Sequence, residues 1–382
     1  MKHHHLRIFF LFSLFTFHFS LFAQTWEPVG SGLTGEDTNL KEVVYTMCVY
    51  NNKLYVGGRF TQAGKLKANH IASWDGTKWD SLGCGTNGDV EALCVYKHWL
   101  ALAGDFTVAG RKRTNRIALC IDSANTKPIW FNLGKGILNL NSPNTKPYIS
   151  SLIEYNGFLY ARGFFSDVGD ISSNGIAKWN ANKGWIYLEK IANASGGLNI
   201  GEGPLLNYKN RLCVGEHRDI FGDSKPQVAE LWTWDDNTLK TEVIPNGPKE
   251  IDCLAMADSC LYIGGPSDKQ GNAVAKWDGK KWSALGNLSS WWHMNSMVLY
   301  NDKLYIAGES INDHGGTIYN NVACWDGNSW QPVGAGFSTN VKWHVAYVQS
   351  LCVYKGALYA AGYFTNSSSK TVNNIAKLNL NK

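Results

Sequence analysis

The sequence predicts an all-β fold, a closed ring of seven four-stranded antiparallel blades. Three observations carry this. First, one stretch recurs: residues 54–83 read LYVGGRFTQAGKLKANHIASWDGTKWDSLG, residues 261–286 read LYIGGPSDKQGNAVAKWDGKKWSALG, and residues 304–334 read LYIAGESINDHGGTIYNNVACWDGNSWQPVG. A recurring unit is one supersecondary piece that buries its apolar face only against its neighbours. Second, the leucine opening that stretch returns as Leu54, Leu100, Leu159, Leu212, Leu261, Leu304 and Leu358. The period is about fifty residues, which suits a four-stranded propeller blade. Third, the two ends of the repeated region complement each other. The last unit stops at residues 373–378, a third strand with no fourth, while residues 26–30 read as a fourth strand with no blade before it. The N-terminal strand therefore closes the ring and leaves no unpaired sheet edge between the first and last blades.

Each unit divides into the same elements. The first strand alternates apolar residues, as in Tyr45-Thr46-Met47-Cys48-Val49-Tyr50. Asn51-Asn52 follows, and Asn156-Gly157, Asn301-Asp302 and Lys355-Gly356 fill the same slot. These are hairpin-turn residues that tolerate positive φ. The second strand is the Leu-Tyr-Val-Gly-Gly segment, and a longer loop leads to the third, around Ile71–Trp74. Asp75-Gly76, Asp278-Gly279 and Asp326-Gly327 make the next hairpin turn. The fourth strand opens on Trp79, Trp282 or Trp330 and closes on Gly83, Gly286 or Gly334.

These units resemble kelch repeats in their paired glycines on the second strand and the Trp opening the fourth. They are most similar to the variant with a GG-x-F-T segment and an I-A-x-W-D-G turn found in bacterial secreted propellers and fungal cortical-marker proteins. Gly57-Gly58-Arg59-Phe60-Thr61, Gly104-Asp105-Phe106-Thr107 and Gly362-Tyr363-Phe364-Thr365 carry it here. Unit four departs, with one glycine in Val214-Gly215-Glu216-His217, and unit two has Cys120 where the third-strand Trp belongs. The resemblance implies the fold and no particular activity, since propellers host many.

Residues 1–23 read as a signal peptide: Lys2 and Arg7 precede an apolar run from Ile8 to Ala23. The run is shorter than a membrane span, and no second one follows. The expectation is an exported, monomeric propeller domain over residues 24–382, in the periplasm, at the cell surface or released by a bacterium. Charged residues are 18% of the chain, below the ~25% of average proteins. Without Lys2 and Arg7 the formal charge falls from +5 to about +3. That is too little to argue for nucleic acid or an anionic membrane. The basic run Arg111-Lys112-Arg113, with Arg116, reads as a solvated loop. Nine cysteines are present. Cys48, Cys94 and Cys352 share one first-strand position and read as small buried apolar residues, while Cys253 and Cys260 flank one hairpin and are the sole plausible disulfide pair.

Tight turns join strands one to two and three to four, and longer connections join strands two to three and blade to blade. The two long sets leave on one face of the disc, which becomes the candidate binding face. Two groups stand out on it. Trp291, Trp292 and His293 precede blade 6, and Trp343, His344 and Tyr347 precede or open blade 7. They form either an aromatic platform for a sugar or protein partner, or packing between blades. The residues after the glycine pair, among them Arg59, Asp105, Glu216 and Glu309, fall near the channel mouth and either act on a ligand or bridge blades. No calcium loop, paired zinc spacing, nucleophile elbow or phosphate loop occurs, so no metal, cofactor or catalytic residue is assigned. The expected function is non-catalytic binding of a glycan or extracellular protein. The alternatives are a secreted glycan hydrolase or lyase using carboxylates near the channel, and a structural cell-envelope protein.

Overall fold

The computed structural model describes residues 24–35, 42–123, 126–139, 145–194, 203–215, 229–290, 293–309, 311–313 and 317–380. The segment read as a signal peptide lies outside them. Seven four-stranded antiparallel sheets follow one another along the chain. Their innermost strands are Val43–Tyr50, Ala92–Tyr96, Tyr148–Tyr155, Leu205–Tyr208, Cys253–Ala257, Met294–Tyr300 and Tyr347–Tyr354, for blades 1 to 7. Each touches the corresponding strand of the next blade, and blade 7 touches blade 1, so the ring is closed around a channel. The fourth strand of blade 7 is Thr25–Pro28, with Trp26 opposite Leu378 and Pro28 opposite Ala376. The N-terminal strand thus closes the sheet as expected. The one helix among the described residues is the short Glu189–Ala194 after blade 3.

Two side chains of the repeat tie blade to blade. The tyrosine ending the first strand donates its hydroxyl to a carbonyl in the next blade's first turn. Tyr50 reaches His98 at 2.6 Å, Tyr96 Gly157 at 3.2 Å, Tyr155 Asn210 at 2.9 Å, Tyr208 Ser259 at 2.7 Å, Tyr300 Gly356 at 3.1 Å and Tyr354 Asn52 at 2.9 Å. Blade 5 has Ala257 in that position. On the outside, the indole of the fourth-strand Trp donates backwards to the residue that follows the preceding blade's last strand. Trp79 reaches Val29 at 3.1 Å, Trp185 Leu133 at 2.9 Å, Trp330 Leu285 at 2.8 Å and Trp26 Val333 at 3.1 Å. Buried Trp and Tyr need such partners for their polar ends. Here those partners set blade spacing at both radii.

The long connections are more ordered than a loop reading implies. In blades 1, 2, 3 and 7 the second-to-third connection folds into a small hairpin: Gln62–Ala63 with Leu66–Lys67, Val108–Ala109 with Lys112–Arg113, Asp167–Val168 with Ile171–Ser172, and Asn366–Ser367 with Lys370–Thr371. The segment entering the same blade pairs with it, through Leu33–Thr34, Thr86, Ile137–Leu138 and Ser338. Both sets of long connections therefore do leave on one face. A glycine in left-handed conformation lets the hairpin settle on the outer Trp. Gly64 has φ +60°, and a Cβ there would stand 3.2 Å from Trp79, while at Gly110 it would overlap Trp130.

All nine cysteines are free. Cys253 stands opposite Gly264 and Cys260 opposite Ala257, at opposite ends of their hairpin, so the one disulfide considered does not form. Cys48, Cys94 and Cys352 are half-buried rather than buried, and they fall on three consecutive blades, 7, 1 and 2. Burial still pushes the Cys48 thiol up to about 11 and that of Cys352 to about 12.

Candidate functional site at the channel mouth

The site begins with an irregularity in the first strands. A β-bulge interrupts the pairing between Val44 and Thr46, Ile149 and Ser151, Met294 and Ser296, and Val348 and Ser350. The extra residues are Tyr45, Ser150, Asn295 and Gln349. A bulge re-aims its side chain out of the regular alternation. Ser150, Asn295 and Gln349 accordingly line a cavity of about 400 Å³ at the mouth of the channel, together with Tyr148, Asp252 and His293.

Part of this polar lining holds the ring. Asn295 donates its amide to the Val348 carbonyl at 3.0 Å. The hydroxyls of Ser151 and Ser296, also in the cavity wall, accept the backbone N–H of Leu205 at 3.2 Å and of Leu351 at 3.0 Å. These bonds satisfy inner-strand groups that would otherwise face the channel unpaired. The buried Asp252 carboxylate accepts the Met294 N–H at 3.0 Å and sits 3.3 Å from Nδ1 of His293. Gln349 is half-buried, and its amide has no hydrogen-bond partner among the described residues.

The opposite side of the mouth is charged. Arg59 Nη2 lies 2.6 Å from Asp89, which also faces His70 at 3.4 Å. Asp105 lies 2.8 Å from Lys146 and 3.8 Å from Arg116. Arg59 and Asp105 each reach a residue leading into the following blade. Between them, Glu91 accepts the Ile149 N–H at 3.2 Å. Burial pushes its carboxyl up to about 8, and nearby Asp105 and Asp89 add to the effect.

The aromatic group divides. Trp291 and Trp292, like Glu216 of the ring, lie outside the described residues. His293 joins Asp252 at the cavity. Trp343 is 89% exposed, with φ +66°, and Lys342 Nζ stands 5.2 Å from its ring centroid. It therefore does not pack between blades. From its neighbour His344 an aromatic run leads inward: His344 to Tyr363 at 6.0 Å, then Tyr363 to Tyr347 at 5.7 Å between centroids. Burial raises the Tyr347 hydroxyl, and Glu309 adds to the rise, which puts these two from blades 6 and 7 in one field.

Sequence reasoning missed the mouth ring itself, although the repeat contains its signal. Tyr45, Glu91, Ser150, Gly203, Asp252, Asn295 and Gln349 keep one nine-residue offset before Leu54, Leu100, Leu159, Leu212, Leu261, Leu304 and Leu358. Five of the seven line the cavity. Among the described residues, no group of three or more His, Cys, Asp or Glu is placed to hold a metal ion.

No protein-family model matches the chain, and no curated protein does. Solved structures are similar to it. PorZ, a bacterial surface component of the type-IX secretion system of Porphyromonas gingivalis, superposes with a TM-score of 0.50 at 13% identity over 85% of this chain; the match spans 47% of the PorZ chain, about half its length. The computationally designed protein Ika8 gives 0.48 at 12% identity over 92% of this chain and 99% of its own. An ancestral GH74 enzyme gives 0.46 at 13% identity over 94% of this chain and 52% of its own. At 13% identity the PorZ likeness extends to the fold and no further.

Proposed function

We propose that this chain is an exported, kelch-like propeller that binds a glycan at its channel mouth without turning it over. One observation carries the reading: the cavity of about 400 Å³ into which blades 3, 6 and 7 bring Ser, Tyr, Asn and Gln side chains beside Asp252 and His293. Its volume falls within the ~300–1,000 Å³ of small-ligand sites. Neutral amides and hydroxyls donate and accept, as sugar hydroxyls do. The exposed Trp343 and His344, on the segment entering blade 7, supply flat faces on the same loop face. Export rests on Lys2, Arg7 and the apolar run to Ala23. Among the described residues no helix is long and apolar enough to cross a membrane.

The test is a glycan array run beside a reducing-end assay. The expected result is retention of a saccharide with no new reducing ends. Gln349→Ala should weaken that binding about tenfold, the equivalent of ~1.4 kcal/mol, with folding unchanged. Unchanged retention by Gln349→Ala and Trp343→Ala alike would sink the reading.

A second reading, a secreted glycan-active enzyme, draws on Glu91. A protonated carboxyl beside other carboxylates is how acid and base roles are divided between like groups. Under it, new reducing ends appear, their rate falls as pH rises through about 8, and Glu91→Gln abolishes them.

A further inference from the structure

We infer that the outer rim of the long-loop face at blades 1 and 2 is a docking surface for an acidic polysaccharide. The sequence shows only one basic run, Arg111-Lys112-Arg113, which by itself reads as a solvated loop. The fold gives it a partner. Lys112–Arg113 is a strand of the blade 2 hairpin, and the equivalent hairpin of blade 1 carries Lys65 and Lys67. All five side chains are exposed.

The two hairpins are stapled side by side. Asn69, just past Lys67, donates its amide to the Cys84 carbonyl at 3.0 Å and accepts the Thr86 N–H at 3.2 Å. That same segment pairs with the second hairpin: Thr86 bridges Ala109, and the Gly110 N–H donates to Gly85 at 2.9 Å. Arg111 Nε then reaches back to Cys84 Sγ at 3.2 Å. The cations thus stand on one hydrogen-bonded surface, not on independent loops.

Among the described residues no carboxylate pairs with these five cations. Residues 62–69, 84–88 and 107–116 contain no Asp or Glu. Three described acids of blades 1 and 2 are engaged elsewhere: Asp80 with Lys53, Asp89 with Arg59, and Asp105 with Lys146. The fold does not require this charge. The matching hairpin of blade 3 carries Asp170, paired with Lys135, and that of blade 7 carries Lys370, paired with Glu27. The same backbone is therefore charge-balanced in blades 3 and 7 and left cationic in blades 1 and 2.

The occupant follows from the chemistry. Arginine forks match carboxylate and sulfate groups, and lysines add point charge. Leu66, 44% exposed, is the one large apolar side chain of the strip, so little is available to enter a bilayer. A linear anionic sugar chain lying across both hairpins meets cations of each, while Lys112 also stands over the Phe131 ring, its Nζ 5.4 Å from the centroid. This inference stands apart from the channel-mouth reading, whose lining is largely neutral.

The experiment uses the mature chain on immobilised polygalacturonate, with neutral dextran and phosphatidylglycerol vesicles as comparison arms. The expected result is retention on polygalacturonate alone, with affinity falling steadily as salt is raised. Replacing Lys65, Lys67, Arg111, Lys112 and Arg113 by Ser should weaken it at least tenfold. Lys65→Arg with Lys67→Arg and Lys112→Arg should keep it, which separates lost charge from lost structure. Lys280→Ser with Lys281→Ser, exposed on the plain face, should leave it unchanged. No retention, equal retention by the five-site variant, or binding to the vesicles in preference to polygalacturonate would overturn the inference.

Discussion

Glu91 sits where blades 2 and 3 meet, and its environment decides its protonation. Its side chain is taken from water and faces Asp89 and Asp105, so its carboxyl moves from 4.5 to about 8 in the folded chain. A carboxyl raised on folding holds its proton in the native state after the unfolded chain has lost it. Its contribution to stability is complete below about 4.5 and declines as pH rises towards about 8. Thermal unfolding followed across that window should show the melting temperature falling with pH. Glu91→Gln, which stays neutral, should flatten the slope; an unchanged slope would mean that Glu91 is not the titrating group. Trp343 presents the opposite case. A bulky residue at φ +66° costs of order 1–3 kcal/mol in backbone strain, and its ring is 89% exposed. Trp343→Gly should therefore stabilise the fold slightly while removing the stacking face, a split that a core residue would not show.

At the level of the element, the blade is a unit for making contacts with the next blade. Tyr354→Phe removes only the hydroxyl that reaches Asn52, at the seam between the last blade and the first. The expected loss is about 1 kcal/mol, the net worth of one such bond, measurable by urea unfolding. A loss of zero would show that water replaces the hydroxyl without cost. The accessory hairpin gives a sharper test. Gly110 has φ +54°, and a Cβ there would overlap the Trp130 ring. Gly110→Ala should cost at least ~1–2 kcal/mol through the left-handed backbone alone, with repacking of Trp130 added. Gly157, also at positive φ but with nothing within 4 Å of a new Cβ, should cost only the backbone strain. The difference between the two isolates the contact.

For the whole molecule, closure is the decisive feature. Trp26 belongs to the strand that completes blade 7, is 1% exposed, and bonds through its indole to Val333 of blade 6. Trp26→Ala should cost about 3–5 kcal/mol, as large aromatic truncations do. Deleting residues 24–30 should go further and expose the edge of Ile375–Asn379, which templates pairing with another chain. A truncated protein that remains monomeric and equally stable by light scattering and calorimetry would exclude velcro closure. Chemical labelling reads the ring in another way. With all nine thiols free, alkylation without reductant should be slow at Cys48, Cys94 and Cys352 in the folded state and complete at all nine after denaturation.

The repeat in the sequence was enough to determine the blade count, the four strand slots, the hairpin turns at Asn51-Asn52 and Asp75-Gly76, and the closure of the ring by Trp26. These are written in local patterns: alternation of apolar residues, turn residues at fixed offsets, and a Trp that must be buried somewhere. The tertiary structure decided what meets at the mouth. Ser150, Asn295 and Gln349 face one cavity because a bulge adds a residue to each first strand, and nothing in the composition of those strands marks it. It decided that Arg59 meets Asp89 and that Lys67 lies beside Arg111, since these contacts cross from one blade to the next. It also decided that Trp343 points into solvent when most tryptophans of the repeat are buried. Local sequence encodes how each blade folds; only packing the blades around a common axis fixes which side chains face each other across it.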